Sequence, residues 1–148
     1  MQENIKATGK LTIVLRDEHG NIKEEHEHEN LVVTTGLGHI ASRMAGTAQG
    51  VMSHMEVGTS STSAAAGQTA LIGGGLTLGR QAFDSYTASG ATVTGVATFA
   101  AGEGTGALTE AGMFNASSAG TMLCRTVFAV VNKGASDTMA ITWTITIS

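Results

Sequence analysis

The chain of 148 residues carries 12 acidic and 8 basic side chains and a formal charge of -4, a modest charge of the wrong sign for the basic patch that neutralises nucleic-acid phosphates. Its one cysteine, Cys124, cannot close an intrachain disulfide, and no run approaches the roughly 18 apolar residues of a membrane span. With 20 glycines, 21 threonines, no proline and only 14% charged residues, the composition suits one all-β domain of short Thr/Val/Ile strands and glycine turns, whose lightly charged surface is poor at staying solitary.

The amino terminus, Met1 to Lys10, lacks the apolar centre of a signal peptide, so the expectation is a protein made in a bacterial-type cytosol or kept in a particle assembled there. Residues Met1 to Asn30 hold 11 of the 20 charged residues. This sets a polar arm, residues 1–33, against a nearly uncharged body, residues 34–148. Within the arm Leu11, Ile13 and Leu15 alternate with Thr12, Val14 and Arg16. After Asp17-Glu18-His19-Gly20-Asn21 a second extended run continues from Ile22 to Val33, which predicts a β-hairpin. Its segment Lys23 to Glu29 is too charged for a sheet interior and belongs at an edge or in solvent.

Thr34 or Thr35 can cap a short helix in which Leu37, Ile40, Ala41 and Met44 share a stripe and Gly46 supplies the stop; the stripe is expected to cover one end of a sheet. From Val51 onward, short apolar runs predict strands at Val51–Val57, Leu76–Tyr86, Thr92–Phe99, Leu108–Phe114, Thr121–Val131 and Met139–Ile147. With the hairpin these make about eight antiparallel strands, spaced as in a β-sandwich or jelly roll. In the last run Met139, Ile141, Trp143, Ile145 and Ile147 alternate strictly with Ala140, Thr142, Thr144 and Thr146, so one face is core. The Thr121–Val131 run is apolar on both faces, as in a central strand or one covered by a neighbouring subunit. Arg125 interrupts it and, if buried, needs a carboxylate partner. The stretch from Gly58 to Ala70 has no anchoring side chain and reads as a long surface loop.

Candidate sites are sparse. His26 and His28, two apart on a strand, project from one face and are weak candidates for a transition metal, with His19 in the adjoining turn as a third donor; a solvated edge flanked by Glu25, Glu27 and Glu29 explains them as well. His39 and His54 stand alone. Gly102-Glu103-Gly104-Thr105-Gly106 lacks the Lys-Ser/Thr of a phosphate loop and reads as a turn. No nucleophile elbow occurs, and Glu103 and Glu110, the only carboxylates between Asp84 and Asp137, have no aromatic surroundings for sugar stacking. Composition and motifs therefore point away from catalysis and cofactors.

The runs Asn30 to Gly36, Met52 to Thr59, Thr109 to Asn115, Gly120 to Phe128 and Ile141 to Ile145 together resemble small virion structural proteins of tailed phages and prophages, a loose group that includes tail-fibre-like modules and head-decorating proteins. The resemblance covers Asn30 to Ser148 and marks fold and packing. It implies a non-enzymatic virion component, foremost a capsid decoration or cement protein that forms a dimer or trimer and contacts the major capsid protein. A tail-fibre or tail-adaptor module is the alternative, and a small metal-dependent enzyme a distant third. On this view Leu11, Ile13, Leu15 and Ile22 of the arm, together with Arg125, are the residues expected to meet a partner, the arm adding edgewise to a neighbour's sheet.

Overall fold

The computed structural model describes residues 5–47 and 49–148; Met1–Asn4 of the expected arm, and residue 48 of the body, lie outside them. The elements in chain order are β1 (Ala7–Arg16), β2 (Ile22–Val32), α1 (Thr34–Met44), β3 (His54–Gly58), β4 (Arg80–Ala82), β5 (Ser85–Ser89), β6 (Thr92–Phe99), β7 (Gly106–Phe114), β8 (Met122–Lys133) and β9 (Thr138–Ile147). The protein is all-β with one short helix. It has nine strands where about eight were expected, because the Leu76–Tyr86 run turns a corner at Phe83-Asp84 and becomes two strands.

The strands form one antiparallel sheet in the order β4-β3-β7-β8-β2-β1-β9-β6-β5. Strands β4 and β5 lie at opposite ends of that order yet are two residues apart in the chain, so the sheet must curl until its ends approach. At the junction Phe83 N–H donates to Ser53 O at 2.9 Å and Asp84 N–H to Val96 O at 2.7 Å. The curl folds one half, β4-β3-β7-β8, over the other, β2-β1-β9-β6-β5, in a sandwich-like arrangement.

Between the halves lies the core. Leu11, Ile13 and Leu15 of β1 meet Met139, Ile141 and Trp143 of β9, with Phe99 from β6 and Met55, Leu108 and Met113 from the facing half, all without exposed surface. Each such side chain contributes about 1.5–3 kcal/mol by leaving water. The Trp143 Nε1–H donates to Asn30 Oδ1 at 2.9 Å, which satisfies the one polar atom of the largest core side chain.

Two expectations are corrected here. The hairpin is not an arm: β1 pairs with β9 along its whole length, from Ala7↔Ile147 to Arg16↔Thr138, and with β2 on its other side. Leu11, Ile13 and Leu15 are core and offer nothing to a partner, since their apolar face is what Met139, Ile141 and Trp143 pack against. The helix also docks otherwise than its stripe suggests. Leu37 and Met44 are exposed, 52% and 86%, while Gly36 and His39 are buried. Gly36 decides this, because a Cβ there would lie 2.0 Å from Leu123 O; the bare backbone lets the helix sit directly on β8. Neither threonine caps the helix: its N-cap is Val33, without a side-chain hydrogen bond, and Thr35 Oγ1 donates to Met122 O at 3.2 Å.

Candidate functional site

The outer faces of the two half-sheets are treated in opposite ways, and the difference begins with two carboxylates. On β3 and β7, Glu56 opposes Gly112 and Glu110 opposes Gly58, so both acids stand on the outer face of the β4-β3-β7-β8 half. Glu110 is fully buried, and Arg125 of β8, also fully buried, reaches it with Nε at 2.9 Å and Nη2 at 2.8 Å from Oε2. The carboxylate that Arg125 required is therefore Glu110.

Both groups then reach across to the chain between β3 and β4. Glu110 accepts the N–H of Ser60 at 3.2 Å, of Ile72 at 3.2 Å and of Gly73. Arg125 Nη1 donates to Thr62 O at 2.8 Å and to Gln68 Oε1 at 3.1 Å. Glu56 repeats the pattern: it accepts Gly75 N–H at 3.1 Å and pairs with Arg80, whose Nη2 is 2.6 Å from Oε1. The Arg80 guanidinium lies over the Phe114 ring, 3.8 Å from its centroid, and Nη1 donates to Ala116 O and Ala119 O. Leu71 adds an apolar foot among Val33, Phe114 and Met122.

Residues 58–79 are thus a strap fastened over one sheet face. The sequence showed no anchor because most of the anchors belong to the strands beneath; the strap itself contributes Gln68, which the expectation of a stretch without anchoring side chains missed, and Leu71 just beyond that stretch. Close approach is possible because Gly73 has no side chain; a Cβ there would lie 2.5 Å from Ser60 N and 2.8 Å from Glu110 Oε1. The strap also explains why Met122–Thr126 of β8 is buried on both faces. What covers Arg125 is this chain's own loop, so its expected role at a partner surface is replaced by an internal one. Isolated buried ion pairs cost more in lost hydration than they return, and the backbone donors of the strap are what offset that cost.

The other half is bare. On the outer face of β2-β1-β9-β6-β5, paired positions form rows: Lys10, Thr144, Thr94 and Thr87 in one, Thr12, Thr142, Val96 and Ser85 in the next, Thr8, Thr146 and Thr92 in a third. Among the described residues no segment crosses these strands. Their charge gathers at the β2 margin, where Glu25, Glu27 and Glu29 stand beside Lys10, and at the end of β1, where Arg16 is exposed; Lys10 Nζ is 2.9 Å from Glu27 Oε1.

The histidine pair faces the other way. His26 and His28 oppose Ile13 and Leu11 and fill a seam where β2 diverges from β8, since those strands pair only at Leu31↔Arg125 and Val32↔Cys124. His26 Nε2 is 3.1 Å from Glu24 Oε1, and the His28 ring centroid is 6.1 Å from that of Phe128. Among the described residues no three His, Cys, Asp or Glu side chains are placed to hold one metal ion; His19 is on the β1–β2 turn, 3.4 Å from Glu18 Oε1. Ile22 begins β2 and is half exposed. Elsewhere, burial followed by the charge of Arg80 lowers the His54 pKa, and burial pushes the Cys124 thiol far up, so it is inert. Glu103 accepts Ala100 N–H at 2.8 Å in a turn, 3 residues from its partner. At the open end of the fold Lys23 Nζ is 2.8 Å from Asp137 Oδ2. That pairing, with a bond from Gly134 N–H, holds the Asp137 carboxyl below the usual carboxylate range.

A groove of about 380 Å³ opens where α1 meets the ends of β5, β6 and β9, walled by Ile40, Met44, Val51, Tyr86, Val93 and Ile147. It is apolar and has no convergent charged pair, so it suits contact more than chemistry. Comparison with protein-family models, curated proteins and solved structures gives no match.

Proposed function

We propose that this chain is a non-enzymatic structural component of a tailed-bacteriophage virion, a capsid decoration or cement protein that self-associates and stabilises the head, assembled in the cytoplasm of the host bacterium. The observation that carries the reading is the contrast between the faces. On the covered face the buried Glu56, Glu110 and Arg125 and the half-buried Arg80 are engaged in fastening the strap, while a five-strand face of threonine rows is left bare. Such a face offers area and hydroxyls for many weak contacts with the major capsid protein or other virion proteins. The resemblance of residues 30–148 to small phage virion proteins supplies the setting.

A tail-fibre or adaptor module is the second reading, favoured by Ile72 and Leu78, which the strap holds 53% and 60% exposed. Adding purified protein to particles that lack it, and locating it by electron microscopy, separates the two. Decoration of heads with a gain in their heat stability is expected. Density on tails, or loss of infectivity without change in head stability, overturns the cement assignment. Replacing His26 and His28 by alanine is expected to leave decoration intact.

A further inference from the structure

The curled sheet ends in two strands of different character. Strand β4 has three residues, and its Arg80 is engaged by Glu56 and by the carbonyls of Ala116 and Ala119. Strand β5, Ser85-Tyr86-Thr87-Ala88-Ser89, pairs with β6 on one side; among the described residues no backbone hydrogen bond reaches its other side. Tyr86 is half-buried and the other four residues are exposed. Sheet edges are ordinarily blunted by charge, proline, a bulge or a covering segment. β5 contains no charge and no proline, and its register with β6 is unbroken.

Its sequence is also self-complementary. About a twofold axis through Thr87, antiparallel pairing sets Ser85 opposite Ser89 of the second copy, Tyr86 opposite Ala88, and Thr87 opposite itself. Large meets small, and hydroxyl meets hydroxyl. Asp84 is the only charged residue between Gln81 and Val93. In this register it falls opposite Gly90 instead of another acid, and its Oδ2 already accepts from Thr98 Oγ1 at 2.6 Å. An isologous interface needs a strand compatible with its own reverse without like-charge contact, and β5 meets that condition.

We infer that the protein forms a twofold dimer by antiparallel pairing of β5 with β5 of a second copy, centred on Thr87, which joins two curled sheets into one. The inference rests on the self-association in the proposed function and names its surface. The pairing runs the Thr144-Thr94-Thr87 row on into its counterpart. It also brings the groove beside Tyr86 to the seam, so that exposed Met44 and Val51 can be covered along with the edge.

Register-specific cross-linking of the full chain tests it. Directly opposed residues have Cα atoms about 4.5–5.5 Å apart, within disulfide range. Thr87→Cys is expected to give a covalent dimer under mild oxidation, with buried Cys124 unreacted. Ser85→Cys and Ser89→Cys are each expected to stay uncross-linked alone and to cross-link when mixed. Thr87→Lys sets two ammonium groups face to face on an exposed surface. It is expected to weaken dimerisation at least tenfold by sedimentation, with the circular dichroism and melting of the parent. A parent monomeric at all concentrations, a Thr87→Lys chain still dimeric, or Ser85→Cys linking to itself as well as Thr87→Cys does overturns the inference. The virion reading fails separately: a β5-paired dimer that lands on no particle refutes that reading and upholds this one, and a monomer that decorates heads does the reverse.

Discussion

The two half-sheets solve one problem in different ways. A curled sheet buries its inner face once, and each outer face must then be covered or made fit for water. The β4-β3-β7-β8 half covers its outer face with residues 58–79, gripped by Glu56 and Glu110. The β2-β1-β9-β6-β5 half makes its outer face of threonine, whose methyl suits the pleat and whose hydroxyl suits water. Buried charge marks the closed face and its absence marks the open one. The contrast separates residues that hold the protein together from those available to meet something else.

The largest break in this contrast is expected from Arg125→Met. It leaves Glu110 buried without a cation and is predicted to cost about 3–5 kcal/mol in urea denaturation. Protease cleavage is expected to appear within residues 58–79. Removing Glu110 as well is not expected to restore the strap, because Ser60, Ile72 and Gly73 lose their acceptor. An unchanged midpoint for Arg125→Met would show that the strap is not held by this pair.

Gly36→Ala comes next, at about 1–3 kcal/mol for a methyl forced against Leu123 O. Loss of helix signal before the strands melt would locate the effect. The third effect is acid sensitivity. The Asp137 carboxyl is held low in the folded chain, so its contribution is complete above the ordinary carboxylate pKa of about 3.9 and is lost as the pH falls through the depressed value. The melting temperature is therefore expected to fall below about pH 4, and less steeply in Asp137→Asn. A slope unchanged by that substitution would remove Asp137 from the account. The smallest effect belongs to the open face: Thr142→Val and Thr12→Val are expected within about 0.5 kcal/mol of the parent, as for surface positions without special contacts. A larger loss in either would mean that the threonine rows contribute to the fold itself.

Much of the strand content was legible. The alternation of Met139 through Ile147 identified β9 and its inward face, and Thr92–Phe99 was read with its observed limits. Leu76–Tyr86 was misread because its composition continues unbroken where Phe83-Asp84 turns from one end of the sheet to the other. Leu37 and Met44 misled because a helical stripe normally marks the packed face, whereas this helix docks through the missing side chain of Gly36. Arg125 announced a need for a carboxylate, but its partner Glu110 emerged only from the pairing of β7 with β8. Glu56 gave no such signal, since its partners are the Gly75 backbone and Arg80, brought to it only by the strap.

From its residues alone the chain determined most of the extended segments and, where alternation is strict as in β1 and β9, which side faces inward, because a period of two is a local property of the backbone. Only the tertiary structure decided that β1 lies between β2 and β9, that a featureless loop is fastened to one sheet face, and that β5 is left as a neutral edge. Those outcomes depend on pairing between distant segments, and backbone hydrogen bonds, which are alike for every strand, do not record their partner in the sequence.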